Sequence, residues 1–367
     1  MTSSVEEIIM TSALSAEEPA DSGFAPWQPP TMSAQLRRML SFQNISALYL
    51  FVLLFVAFSL WVPSTFLSSG VWRALLSGQA VTCLVAVGLV PSLAAGVFDL
   101  AVGSEVGLGA ILAAWALASA HANVPVAVAT ALLAGAVVGV CNWFLIVGLR
   151  IQSFIATLGV SSVLLAMISW VSDGQQIVNL PHSFASLGTG QFLGLQWPVY
   201  VLAGVALAIW YVLECTPTGR RVYATGADLD AARLAGVRTS RIILLCTVVC
   251  AVVAALAGLL ESAQLATGDP TIGPGYALPA ISAALFGSTQ FRNGRMNVWG
   301  TVVASYVLAT GVKGLQLAGL PLWIPDLFNG VALLVAVAMA RYQNSPSSRL
   351  AGIGRLFART RGSGVND

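Results

Sequence analysis

The sequence predicts an all-α, polytopic membrane protein of about ten transmembrane helices, with one broken span and one short re-entrant segment. Three observations carry this. Of 367 residues, 57% are hydrophobic and only 9% charged, where a soluble domain has roughly a quarter charged. The apolar residues fall in blocks of about 20, the helix length that crosses ~30 Å of hydrocarbon; lipid offers backbone polar groups no partner, so the blocks must be helical. With the N-terminus in the cytoplasm, ten spans leave only Arg73 and Lys313 outside, so 15 of the 17 Lys and Arg face inward, as the positive-inside rule requires.

Residues 1–36 are polar, with Glu6, Glu7, Glu17, Glu18, Asp21 and a "PWQPP" stretch. They predict a disordered tail, without the basic start and apolar core of a cleaved signal peptide. A membrane domain follows over 37–342. Its spans are expected at 46–63, 76–96, 104–121, 124–148, 153–171, 197–213, 242–266, 276–290, 298–317 and 322–341. The stretch 76–121 is broken internally, and 276–290 is short for a crossing. Trp61, Trp170, Trp197, Trp210, Tyr211, Trp323 and Tyr342 lie near span ends, where an aromatic belt is expected. The longest outside connection, 172–196, carries no Lys or Arg. Residues 343–367 form a cytoplasmic tail.

Several function classes lack their residues. No basic stripe interleaved with aromatics suggests nucleic acid. His121 and His182 are far apart, and Cys83, Cys141, Cys215, Cys246 and Cys250 form no metal-type pair, which leaves the cysteines as small buried hydrophobes and gives no metal site. There is no G-x-x-x-x-G-K-[ST] phosphate loop.

The loop 214–241 gathers charge that the rest of the chain avoids, including Arg220, Arg221, Asp228, Asp230 and Arg233. It has a short helix written into it. Asp228 suits the N-cap and Asp230 the first turn, Arg233 suits the C-terminal end, and Gly236 suits the left-handed position beyond it. About two turns of helix cannot stand alone in water. Ala231, Ala232 and Ala235 would let a partner approach; a helix resting on headgroups or on the chain's own loops explains the same residues.

These residues carry a resemblance. "TGRRVYATGADLDAARLAGV" resembles the cytoplasmic coupling-loop motif of ribose-type ABC permeases (the branched-chain amino acid, ribose and xylose group), with Gly219, Arg220, Ala224, Gly226, Ala231, Ala232 and Gly236 matching. Asp228 stands where Asn is usual, and Val237 where Ile is. "GVFDLAVGS", "FIATLG" and "GPGYALPAISAALFGS" are similar to further motifs of the family, in its order, over about 40–341. Val97, Ser288 and Met296 replace family glycines. The resemblance implies a permease subunit of a bacterial inner-membrane importer for a sugar or sugar-like solute, with both termini cytoplasmic. It also implies two ATPase subunits, a second permease copy or homologue and a soluble binding protein. ATP and Mg²⁺ would sit on the ATPase, with no cofactor on this chain. The coupling residues would be Gly219, Arg220, Gly226, Asp228, Ala231, Ala232, Arg233 and Gly236.

For the path itself, Asp99 sits in a 49-residue stretch, 74–122, whose other acid is Glu105. A carboxylate in hydrocarbon is costly unless partnered. Gly96 and Gly103 suggest that the helix breaks here. Asp99, Gly103 and Ser104 are candidate gate residues; equally, Asp99 or Ser104 could cap the next helix. Phe154, Thr157 and Ser161 share a helical face that suits a sugar path or helix–helix packing. Glu261, Gln264, Asp269 and Asp326 could meet a binding protein or be solvated loop charges, and Lys313 could pair with Asp326. The competing function is an ion-gradient-driven secondary transporter with Asp99 and Glu105 as ion sites.

Overall fold

The computed structural model describes residues 46–344, apart from 291–293 and 322. Both expected tails, 1–36 and 343–367, fall almost wholly outside the described residues. Among the described residues all regular structure is helical except one hairpin of two two-residue strands.

The helices run α1 (Ser46–Trp61), α2 (Pro63–Phe66), α3 (Ser69–Gly78), α4 (Ala80–Ala94), α5 (Val102–Ala118), α6 (Val124–Trp143), α7 (Ser153–Ser172) and α8 (His182–Thr189). The strands β1 (Gln191–Phe192) and β2 (Leu195–Gln196) follow. Then come α9 (Trp197–Trp210), α10 (Pro217–Ala227), α11 (Leu229–Leu234), α12 (Thr239–Leu265), α13 (Pro274–Ser288), α14 (Val298–Leu317) and α15 (Ile324–Asn344). Among the described residues six helical segments are long and apolar enough to cross a membrane; Tyr49–Trp61, Val102–Ala118 and Ile324–Val335 are shorter apolar helices. The protein is thus an all-α membrane protein with several spans. The second crossing is longer than expected: α3 and α4 continue one another over Ser69–Ala94, 26 residues, because Ser68 caps α3 by accepting from the Val71 N–H.

Helices α4 and α12 are the axis of the bundle, with α4 buried along its whole length. Small residues let α12 come close. A Cβ on Gly135 or Gly139 of α6 would meet the α12 backbone at Ala251 O (2.7 Å) or Val248 Cα (2.5 Å). The "GAVVG" spacing of α6 is the small-xxx-small pattern of tight membrane helix pairs. Ser92 donates to the Cys246 carbonyl at 3.0 Å and ties α4 to α12. By contrast α6, α7 and α9 bury less than a third of their apolar windows and turn broad faces outward.

The connection 172–196 is folded. Phe184 of α8 is fully buried, and Gly188 lies against the backbone of Ala263 and Gln264 at the end of α12. Ile177 pairs with Gly268 through two backbone bonds of 2.8 and 2.9 Å. Gln176 donates to Asp269 at 2.8 Å.

Several expectations are corrected. Glu261 is no solvated loop charge: it lies within α12 and is partly buried. Lys313 and Asp326 do not pair; among the described residues the ion pair is Arg233–Asp230. Cys141 and Cys215 are exposed, while Cys83, Cys246 and Cys250 are buried. Asn293 lies outside the described residues, and the turn expected there has its neighbour Gly294 at φ +86°.

Candidate functional site

The charged loop folds as two helices, not one. Residues 217–227 form α10, which the sequence reading missed. Its glycines explain themselves by contact. A Cβ on Gly219 would collide with the Leu213 carbonyl, and one on Gly226 with the Ala94 carbonyl at the end of α4. Thus α10 is seated at both ends on neighbouring spans. Its middle is seated too: the Tyr223 hydroxyl donates to the Met296 carbonyl at 2.7 Å, and the Arg295 guanidinium lies 3.6 Å from the Tyr223 ring centre. These four contacts join the loop to α4, to the turn that continues α9 and to the turn between α13 and α14.

Helix α11 stands beyond this seat. Asp228 Oδ1 accepts from the N–H groups of Asp230 and Ala231, both at 2.9 Å. The Val237 N–H returns to Ala232 O at 3.0 Å across Gly236, whose φ is +80°, a closure glycine permits. The helix has six residues, shorter than two full turns. Ala232 of α11 is buried against its own chain, whereas Ala231 and, just past the helix, Ala235 face out. The earlier expectation that all three meet a partner is therefore corrected for Ala232. Leu234 is 91% exposed. Arg220 is exposed, and Arg233 donates to Thr239 at 3.1 Å. Arg221, Arg238 and Arg241 line a cavity of about 540 Å³ beside it.

The break between α4 and α5 spans 95–101. Gly96, at φ +81°, makes its turn. Gly103 lies within α5 and not at the break; a Cβ there would meet Gly273 O at 2.9 Å, so it serves packing on the segment before α13. Asp99 is 2% exposed and accepts from the Ala101 N–H at 2.9 Å. Ser104 caps nothing; its hydroxyl bonds that of Ser161 at 2.7 Å.

Helix α7 holds the break in place. The Leu100 N–H donates to Thr157 Oγ1 at 3.1 Å, and the Phe98 N–H to Ser153 Oγ at 3.3 Å. Thr157 and Ser161 therefore fasten helices together, while Phe154, 52% exposed, and Phe98, 44% exposed, remain free beside them. The sequence reading missed Phe98.

It also missed Asn142, fully buried at the end of α6. Asn142 Nδ2 donates to Asp99 Oδ2 at 3.3 Å and to Glu105 Oε1 at 3.2 Å. Ligand atoms of Asp99, Glu105 and Cys250 lie within 4.8 Å of one another. No sequence spacing signals this cluster, because its members come from the break, α5, α6 and α12.

Two cavities of about 600 and 450 Å³ lie among the helices. Side chains such as Leu112 and Val137 line the first, and Val205 and Val249 the second. Neither offers a polar solute the hydrogen bonds it would need.

Residues 73–337 match the family described as branched-chain amino acid transport system / permease component. The chain is 34% identical to the ribose import permease protein of Escherichia coli K12, over 72% of this chain and 83% of that protein. It is 30% identical to the L-arabinose ABC transporter permease protein of Azospirillum brasilense, over 80% and 86%. It is also 30% identical to the autoinducer 2 import system permease protein of Photorhabdus luminescens, over 80% and 88%. No solved structure matches it.

Proposed function

The chain belongs to the family of branched-chain amino acid transport system permease components, and from that premise we propose that it is the membrane-spanning permease subunit of an ABC importer for a sugar or sugar-like solute. The relatives named for ribose, L-arabinose and autoinducer 2 import favour that solute class. In this reading the chain has about ten spans in the bacterial inner membrane, with both termini in the cytoplasm. The chain hydrolyses nothing; ATP and Mg²⁺ belong to a separate ATPase subunit, and a soluble binding protein delivers the solute outside.

One observation carries the mechanism: α11 projects Leu234 into solvent while α10, one residue away, is wedged under the end of α4 through Gly226. A helix of six residues is not stable by itself, so a partner that grips α11 moves α10 with it. Asp228, as cap, sits at the junction. ATP-driven closure of the ATPase pair would shift α11, α10, the end of α4 and the turn before α14 together. The break at 95–101 would then move against α7. Arg220 and Arg233 present charge to the ATPase, Gly219 and Gly236 set the two ends of the unit, and Ala231 gives the partner close approach.

The apolar cavities within one chain give a polar solute no path. We place the path between two permease copies, along the exposed face of α7. There Phe98 and Phe154 offer aromatic surface to a sugar ring; Asp99 and Thr157 hold the break behind them, while Gly103, Ser104 and Ser161 pack α5 against its neighbours. The test is uptake by proteoliposomes holding the permease and its ATPase. ATP-dependent sugar uptake that survives collapse of the proton gradient supports the reading; uptake that follows the gradient and ignores ATP favours the secondary transporter.

A further inference from the structure

We propose that Asp99, Glu105, Asn142 and Cys250 form a binding site for one small divalent cation, buried between the broken span and α12.

The charge argument comes first. Asp99 and Glu105 are 2% and 1% exposed, and among the described residues neither makes an ion pair. Two carboxylates without a counter-ion are costly in a low-dielectric interior. The divalent cation neutralises both.

The second argument is independent of charge. Glu105 Oε2 is buried and has no hydrogen-bond partner. It is an acceptor, so an electron-pair acceptor is the missing element. A water molecule could donate to it but would leave the charge in place.

The spacing is the third. Asn142 Nδ2 lies 3.3 and 3.2 Å from the two carboxylate oxygens. Charge-assisted N–H···O bonds are shorter, about 2.7–2.9 Å. The spacing fits the edge of a coordination polyhedron instead, which is ~3.3 Å for a tetrahedron with bonds of ~2.0 Å. Amide oxygen and nitrogen exchange places on a half-turn of the side chain. Turned so, Asn142 presents Oδ1 to the same two oxygens and completes a set of three oxygens and one sulfur. The sulfur of Cys250 lies within 4.8 Å of the carboxylate oxygens. Oxygen donors alone would suit Mg²⁺ or Ca²⁺; the added sulfur selects a softer ion of the Zn²⁺ type.

The site's position gives it a role. It joins the break to α5, α6 and α12, a few residues from the Ala94–Gly226 contact. The bound cation makes these segments one rigid body, which the movement of α10 and α11 displaces against α7.

The test is the metal content of the intact transporter, permease with ATPase, purified without chelator and measured by plasma mass spectrometry. One divalent cation per permease chain is expected. Affinity should fall at least about tenfold in Glu105→Gln. In cobalt-exchanged protein a thiolate-to-metal charge-transfer band should appear and be absent in Cys250→Ala. Wild-type protein with no divalent cation, together with Glu105→Leu as heat-stable as wild type, would overturn the site and point to a shared proton. Metal retained equally in Glu105→Gln and Cys250→Ala would overturn it as well, since the ion would then lie elsewhere. None of these readouts depends on which solute is carried.

Discussion

Gly226 lies so close to the Ala94 carbonyl that a Cβ has no room between them. This contact links the charged loop to the last turn of the most buried helix, directly ahead of the break. It turns a solvent-facing element into part of the membrane bundle.

Gly226→Val should therefore push α10 off α4. We expect uptake to be lost and ATPase stimulation by solute to fall several-fold. The thermal midpoint should drop modestly, because the displaced helix lies at the bundle's edge. Gly204, which has open space around it, provides the control: Gly204→Ala should transport normally.

The cap gives a graded prediction. Asp228→Ala removes two hydrogen bonds from the first turn of α11, a loss of about 1 kcal/mol. On a six-residue helix that shifts the population toward the unwound form. Asp228→Asn keeps the acceptor. Coupled ATPase activity should be near normal in Asn and reduced several-fold in Ala, with the stability of the spans unchanged in both. Gly236→Pro demands φ near −65° where the chain has +80°, and should abolish coupling.

Phe98 and Phe154 test the path. Aromatic contacts are worth about 0.5–1.5 kcal/mol each. Phe98→Ala and Phe154→Ala should each raise the KM for uptake several-fold, while basal ATP hydrolysis stays the same. A pair of variants with unaltered KM would move the path away from this face of α7.

At the opposite end, the Thr271 N–H, then the Thr271 hydroxyl and Gln176, hold the Asp269 carboxyl below the usual carboxylate range. The folded value is depressed, so this fastening is fully present above the ordinary value and is lost as pH falls through the lower, folded one. Acid titration should loosen the contact between Gln176 and Asp269, read by hydrogen exchange at Thr271. Asp269→Asn should show the loosened state at neutral pH.

Much of this architecture was legible in the chain because lipid enforces length and composition. Every expected span contains a helix, and the cap at Asp228 and the turn at Gly236 follow from local chemistry alone. What escaped was long-range. The helix α10 begins at Pro217 and is amphipathic, but the seat that holds it is built from Leu213, Ala94 and Met296, which lie outside it in the chain. Gly103 and Ser104 read as break and cap, yet serve packing and a hydroxyl pair with Ser161. Asn142 and Cys250 carry no local signal, since each meets Asp99 only after three helices have assembled. The fold of 172–196 was hidden for the same reason: Gly188 lies against Ala263 and Gln264 of α12, more than 70 positions away.

The central claim is that α11 is gripped by an ATP-hydrolysing partner. A photo-crosslinking side chain at Leu234, which is 91% exposed, tests it in intact cells. The account predicts an adduct with the ATPase subunit whose yield changes when hydrolysis is blocked. Labelling of the same position by an impermeant reagent from outside the cell, with no ATPase adduct, would contradict it.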